Sequence, residues 1–114
     1  MKEVIRTVKV AAVQMESACG QVQTNLAHAV PMIEKAARDG AQLIVLPELA
    51  ATGYILSKEL WDAAETMDGP TVRWLGETSR KLRVYLGAGF AETDGKDIYN
   101  TYVLTGPDGK VAGR

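Results

Sequence analysis

Cysteine and histidine are nearly absent from this sequence of 114 residues, which contains one of each, Cys19 and His28. A single cysteine excludes a disulfide within the chain, which fits a reducing environment and favours the cytoplasm. Because no cysteine and histidine ligands are closely paired, a structural metal site is disfavoured. The sequence therefore predicts neither a metal nor any other cofactor.

An excess of charge and a long apolar run are absent as well. The chain has 13 basic and 14 acidic residues, a net charge of −1, which gives no electrostatic basis for binding nucleic acid or an anionic membrane. No apolar run approaches the ~18 residues that span a bilayer. Residues 1–6 lack the long apolar segment of a secretion signal. We expect no nucleic-acid partner and no membrane association.

What is present is ordinary for a globular protein, with 46% hydrophobic and 24% charged residues. Strand-like and helix-like segments alternate and are bounded by glycine, proline or polar loops, which indicates an α/β fold. The predicted strands are 8–14, 43–46, 84–90, 98–104 and 110–112, and the predicted helices are 24–38, 58–65 and 70–82. A strand, a helix and a strand joined by short loops predict parallel pairing of the first two strands.

Several glycine, proline and serine positions predict details of these segments. Pro31 lies inside the first helix, where it costs roughly 3 kcal/mol, so we expect a kink or a late helix start. Gly87 and Gly89 weaken the third strand, so we expect close approach of another backbone or side chain. Ser57 is expected to cap the second helix, and Pro70 to open the third.

The stretch LIVLPE, residues 43–48, is the one around which the rest is organised. Four consecutive apolar residues predict a strand buried on both faces of a parallel sheet. Pro47 cannot continue a central ladder, so the strand ends there and places Glu48 at its carboxyl end, where open α/β sheets hold catalytic groups. Apolar neighbours disfavour the charged form of a carboxylate, so we expect Glu48 to be a usable proton acceptor near neutral pH.

Taken in order, these residues resemble the carbon–nitrogen hydrolase (nitrilase) superfamily. The motifs that carry the resemblance are VAAVQM, Asn25-Leu26, Gly40-Ala41, LIVLPE, Gly53-Tyr54, Asp68-Gly69-Pro70, Tyr99-Asn100-Thr101, and Pro107-Asp108-Gly109-Lys110 followed by Gly113-Arg114. The resemblance implies an α-β-β-α sandwich, with a central mixed sheet and helices on one face of it. Residues 1–114 are then the amino-terminal part of a single domain.

The resemblance also implies a Glu-Lys-Cys triad in which Glu48 is the general base. The family's lysine would follow a few residues after Arg114 and its cysteine nucleophile further on, and neither Lys110 nor Cys19 occupies those positions. The implied reaction is hydrolysis of a non-peptide carbon–nitrogen bond through a thioester-type intermediate. The implied substrate is a small amide, an N-carbamoyl compound or a nitrile. By itself the chain is expected to be inactive, and the full-length protein to be a homo-oligomer.

Three alternatives stay open from the sequence. Tyr54 either lines a substrate pocket, as the family's tyrosine after glycine does, or packs a loop with its hydroxyl in water. Asn100 either reaches the floor of the active site or bonds a neighbouring loop, the interpretation that we favour. The chain as a whole is either part of an enzyme or a non-catalytic α/β interaction or regulatory module with a flavodoxin-like strand order.

The number of predicted elements has a consequence for stability. In a sandwich, helices cover one face of each sheet and the second sheet covers the other face. The elements predicted here supply only part of that arrangement. One broad apolar face then stays open, well beyond the few hundred Å² that soluble monomers expose. We expect the isolated chain to self-associate or to be poorly stable.

Overall fold

The computed structural model describes residues 3–4 and 6–114. The prediction about a secretion signal falls partly on Met1, Lys2 and Ile5, which lie outside the described residues. In chain order, the described helices and strands are β1 (Val10–Ala12), α1 (Val22–Arg38), β2 (Leu43–Val45), α2 (Lys58–Asp62), α3 (Pro70–Leu82), β3 (Tyr85–Thr93), β4 (Ile98–Thr105) and β5 (Val111–Gly113). The α/β class is confirmed. None of the helices in this part of the chain has the length and apolarity needed to cross a bilayer.

The strands form one mixed sheet in the order β1-β2-β3-β4-β5. β1, β2 and β3 are parallel, whereas β4 and β5 each run antiparallel to the strand before them. Helices α1 and α3 contact each other and the sheet, so both cover the same face, as predicted. The flavodoxin-like order is wrong, because it places the first strand between the second and the third. Here β2 occupies that place, since both crossovers advance in the same direction along the sheet.

Helix α1 buries one stripe of its surface. Leu26, Ala29 and Ile33 are buried, and their spacings of three and four are those of an amphipathic helix. The predicted late start is wrong, because α1 begins at Val22 and continues through Pro31. Pro31 is exposed, so the carbonyl that loses its N–H partner lies on the solvent side, where water can satisfy it.

Helix α2 is shorter than the sequence predicts, because the chain that follows it pairs with β3. Ser57 caps the helix with its side-chain oxygen, as predicted, and the helix ends at Asp62 rather than at 65. The Glu65 amide donates to the Ala91 carbonyl at 2.9 Å, and the Glu65 carbonyl accepts from the Thr93 amide at 2.8 Å. Glu65 thus extends the hydrogen-bonded edge of β3 beyond the end of β2.

The side chain of Glu65 stabilises the start of α3. Its two carboxylate oxygens accept from the Thr71 amide at 2.7 Å and from the Thr71 hydroxyl at 2.9 Å. A carboxylate in this position satisfies an amide that has no partner within the helix and interacts favourably with the helix dipole. Pro70 is the first residue of α3, as predicted.

The two faces of the sheet differ in what covers them. On the helical face the core side chains are fully buried, among them Ile44, Leu86, Phe90 and Val103. On the opposite face, large apolar side chains that share one side of the strands remain exposed: Val10 by 62%, Tyr85 by 45%, and Ile98 and Tyr102 by 39% each. The open apolar face that the sequence predicts is therefore present.

This open face predicts self-association of the 114-residue chain when it is produced alone, because association removes apolar surface from water. We expect sedimentation velocity to show dimers or larger species, which dissociate when Val10→Lys and Ile98→Lys are combined. Ile55→Lys is the matched control, since Ile55 is exposed but lies outside the sheet. A sharp monomeric peak for the unmodified chain, with a cooperative thermal transition, would contradict the prediction.

Candidate active site

Glu48 follows β2 at the point where the chain leaves the sheet. After the strand, the Leu46 amide still donates to the Gly87 carbonyl at 2.8 Å. Pro47 has no amide to continue the ladder, but its carbonyl accepts from the Gly89 amide at 3.3 Å. Because β2 lies between two parallel neighbours, Glu48 stands at the carboxyl end of an interior strand, as the sequence predicts.

The backbone at Glu48 and Leu49 lies directly against β3. A Cβ added to Gly89 would overlap the Leu49 amide nitrogen and would be 3.1 Å from the Glu48 Cα, so no other residue fits at Gly89 without a backbone shift. Leu49 has a φ of 50°, a left-handed conformation that costs an L-residue roughly 1–2 kcal/mol. Its buried side chain offsets this cost. The predicted close approach at Gly89 is confirmed.

The rest of the turn is fixed by buried polar groups. The Asn25 side-chain amide donates to the Ala51 carbonyl at 2.9 Å and to the Ala18 carbonyl at 2.8 Å, while its oxygen accepts from the Ala18 amide at 2.8 Å. On the other side, the Thr52 hydroxyl accepts from the Ala91 amide at 3.1 Å. Buried polar groups that are hydrogen-bonded to the backbone rigidify their surroundings. The turn that carries Glu48 is therefore held by α1 and by β3.

The Glu48 carboxylate is bonded by a residue of β4. The Asn100 Nδ2 donates to Glu48 Oε1 at 3.1 Å. A carboxylate can only accept, so the nitrogen of the Asn100 amide must be the atom that faces it. Asn100 pairs with Ala91 in the β3–β4 ladder, which places its side chain on the open face together with Glu48. This bond agrees with both interpretations of Asn100, because its partner Glu48 is a loop residue and also the candidate catalytic group.

Tyr54 lies near this carboxylate, and Tyr102 is two residues from Asn100 on β4. Partial burial raises the pKa of Tyr54, and the nearby negative charge of Glu48 raises it further. The Tyr102 ring lies over Gly87, and its hydroxyl donates to the Leu46 carbonyl at 2.8 Å. Burial raises the pKa of Tyr102. The sequence gives no role to Tyr102; the signal that could have found it is the glycine on the neighbouring strand, whose missing side chain the ring replaces.

The sequence predicts apolar surroundings for Glu48, and within the described residues this is wrong, because its side chain is exposed. The reason is the open sheet face on which it lies.

The free thiol of Cys19 does not lie beside Glu48; its sulfur is 3.3 Å from the Ser57 hydroxyl oxygen and 3.4 Å from the Ile55 carbonyl oxygen. Among residues 3–4 and 6–114, no cluster of three or more acidic, histidine or cysteine side chains could hold a metal ion.

This geometry suits one chemical task. Glu48 has a fixed backbone and a neutral amide donor on one oxygen, which leaves the carboxylate able to accept a proton from a group approaching over the open face. The described residues bring Glu48, Tyr54 and Asn100 together there, and they bring no thiol to the carboxylate.

Replacement of Gly89 tests the close approach at the turn. We expect Gly89→Ala to lower the free energy of unfolding by about 1–3 kcal/mol, because the added methyl group forces the backbone at Leu49 to move. The control is Gly113→Ala, a strand glycine with nothing within 4 Å of an added Cβ, which should change stability by less than about 0.5 kcal/mol. Equal urea midpoints for the two variants would show that the turn does not depend on Gly89.

Replacement of Glu48 tests its proximity to Tyr54. We expect Glu48→Gln to lower the pKa of Tyr54 but not to its ordinary value, because the effect of burial remains. The pKa of Tyr102, which burial alone raises, should stay unchanged. The measurement is an NMR titration of the tyrosine Cζ resonances. An unchanged Tyr54, or equal changes at both tyrosines, would place the Glu48 charge away from Tyr54.

Comparison with known proteins identifies relatives of this arrangement. The carbon–nitrogen hydrolase family model matches residues 9–114. A nitrilase from Pyrococcus abyssi is 41% identical over 107 residues, which cover 91% of this chain and 41% of that protein. Omega-amidase NIT2 from Danio rerio is 39% identical over 92 residues, which cover 76% of this chain and 31% of that protein. A CN-hydrolase superfamily protein from Xanthomonas campestris superposes with a TM-score of 0.82 and 25% identity, covering 94% of this chain and 39% of the solved one.

The chain thus spans less than half the length of each of these three proteins. The match to the family model extends from residue 9 to residue 114, a range that contains Glu48, Tyr54 and Asn100. The superposition confirms the nitrilase-like fold of the sheet and its helices. By sequence and by fold, this chain belongs to the carbon–nitrogen hydrolase family.

Proposed function

We propose that this chain supplies the general base, Glu48, of an enzyme that hydrolyses a non-peptide carbon–nitrogen bond. The observation that carries the proposal is the placement of Glu48 at the end of an interior parallel strand, in a turn fixed against Gly89. The family match covers this segment. The relatives named nitrilase and omega-amidase support a nitrile or a small amide as substrate, and the family resemblance adds N-carbamoyl compounds.

The proposed chemistry assigns one proton to Glu48 at each step. With an amide, a cysteine thiol attacks the carbonyl carbon while Glu48 accepts the thiol proton. The carbon–nitrogen bond breaks as that proton passes to the leaving nitrogen, and a thioester remains. Glu48 then takes a proton from water, which attacks the thioester and releases the acid. Return of the proton to the sulfur restores the thiol, and a lysine stabilises the charge that develops on oxygen.

The other two members of this triad are proposed to lie outside residues 1–114. Cys19 is a poor nucleophile here, because its sulfur lies beside Ile55 and Ser57 rather than beside Glu48. A base must be within about 3 Å of the proton that it takes, or reach it through one water. By the family pattern, the lysine and the nucleophilic cysteine follow Arg114. We therefore propose that the 114-residue chain alone is inactive.

Tyr54 is proposed to line the substrate pocket. It is half-exposed beside Glu48, so its ring offers apolar surface and its hydroxyl offers a polar tip to a small substrate.

Residues 1–114 are proposed to be the amino-terminal part of a single domain in a cytoplasmic homo-oligomer. The open sheet face supports the proposal that these residues are part of a domain. The free Cys19 supports the cytoplasmic setting. The family resemblance supports the homo-oligomer.

Replacement of Glu48 in the natural protein that carries residues 1–114 tests the proposal. We expect Glu48→Gln to lower kcat about 10²–10⁴-fold on its best small amide or nitrile substrate, because Gln cannot accept the proton. Glu77→Gln is the control, since Glu77 is exposed on α3, on the helical side of the sheet away from the open face; it should keep full activity. The 114-residue chain alone should show no turnover. Full activity of Glu48→Gln, or turnover by the isolated chain, would refute the proposal.

A further inference from the structure

Asn100 occupies a position that the proposed reaction does not yet explain. Glu48 and Asn100 are 52 residues apart in sequence, and the hydrogen bond between their side chains reaches across β3. Asn100 is opposite Ala91 of β3, and the Glu48 backbone lies against Gly89, two residues before Ala91. The β3–β4 register runs without interruption from Leu86↔Thr105 to Thr93↔Ile98, so the position of the Asn100 Cβ is fixed by the ladder.

We infer that Asn100 is a positioning residue, which selects the orientation in which the Glu48 carboxylate accepts its proton. The inference rests on the proposed role of Glu48 as general base. An exposed glutamate samples many rotamers, and the turn fixes only its backbone. The Asn100 amide binds Oε1 and thereby leaves Oε2 as the proton acceptor.

An amide suits this task better than a charged group. A lysine or arginine would stabilise the carboxylate and weaken it as a base, whereas an aspartate would repel it. Because the proton goes to Oε2, the Asn100 Nδ2 can donate to Oε1 both before and after the proton arrives. The general base therefore keeps a partner through both of its protonation states.

A purely structural role for Asn100 is disfavoured by what already holds the turn. The Ala51 amide donates to the Gly89 carbonyl at 3.1 Å, and the Asn25 and Thr52 side chains add the buried bonds described above. Asn25 is buried and bonds only to backbone groups, whereas Asn100 is exposed and bonds to a side chain. The two asparagines of the chain thus divide between fixing the turn and orienting the carboxylate.

Kinetics of Asn100 variants in the natural protein test the inference. We expect Asn100→Ala to lower kcat roughly tenfold or more, since a hydrogen bond to a charged group is lost, with little change in KM or in the unfolding midpoint. Asn100→Asp should be at least as impaired, because it keeps the shape and loses the donor. Asn100→Gln, which keeps the donor, should recover part of the activity. Adding Asn100→Ala to Glu48→Gln should cause no further loss, because Asn100 acts through Glu48.

A spectroscopic measurement gives a readout that does not depend on activity. In the natural protein, the side-chain NH₂ resonances of Asn100 should shift on Glu48→Ala, while those of Asn25 stay in place. Any of three results would overturn the inference. Asn100→Ala could keep activity within twofold of wild type, the double variant could lose more activity than Glu48→Gln alone, or the Asn100 resonances could stay in place on Glu48→Ala. If Glu48→Gln loses activity but the Asn100 variants do not, the proposed function stands and only the inference about Asn100 fails. Full activity of Glu48→Gln would refute both the proposed function and the inference.

Discussion

The backbone at Glu48 and Leu49 approaches β3 so closely that only a hydrogen atom fits on the strand at Gly89. This contact lets β2 end at an interior position without leaving the edge of β3 unpaired. Pro47 and Ala51 bond to Gly89 on either side of the turn, and Thr52 and Glu65 bond further along the strand. Strain at Leu49 is a local cost of that arrangement. The placement of the carboxylate follows from this packing together with the end of the β2 ladder at Pro47.

The sequence predicted those features of the fold that depend on residues close together in the chain. The end of β2 follows from the missing amide of Pro47, and the start of α3 from the fixed φ of Pro70. The glycines of β3 indicated a close neighbour, and the structure has one at each: the Tyr102 ring at Gly87 and the turn at Gly89. Glu48 itself was placed correctly, because a four-residue apolar run before proline leaves few alternatives.

What the sequence missed depends on contacts between distant segments. The continuation of α1 through Pro31 depends on which side of the helix faces solvent, and the pairing of Glu65 with β3 depends on the length of the neighbouring strand. The sequence left the role of Asn100 open, because its bond to Glu48 depends on the β3–β4 register, which no local pattern encodes. The exposure of Glu48 depends on what covers the open face.

The successive pairing of β3 with β2, the turn and Glu65 has a consequence for how this chain assembles. Within the described residues this pairing covers the edge of β3 beyond the end of β2, whereas β4 pairs with β5 only at Leu104 and Thr105, so residues 98–103 keep an edge with no paired strand. An unpaired strand edge is a template for pairing with another chain. The isolated chain therefore has two separate routes to association, stacking of its apolar face and strand addition at β4, and particles larger than a dimer can grow from their combination.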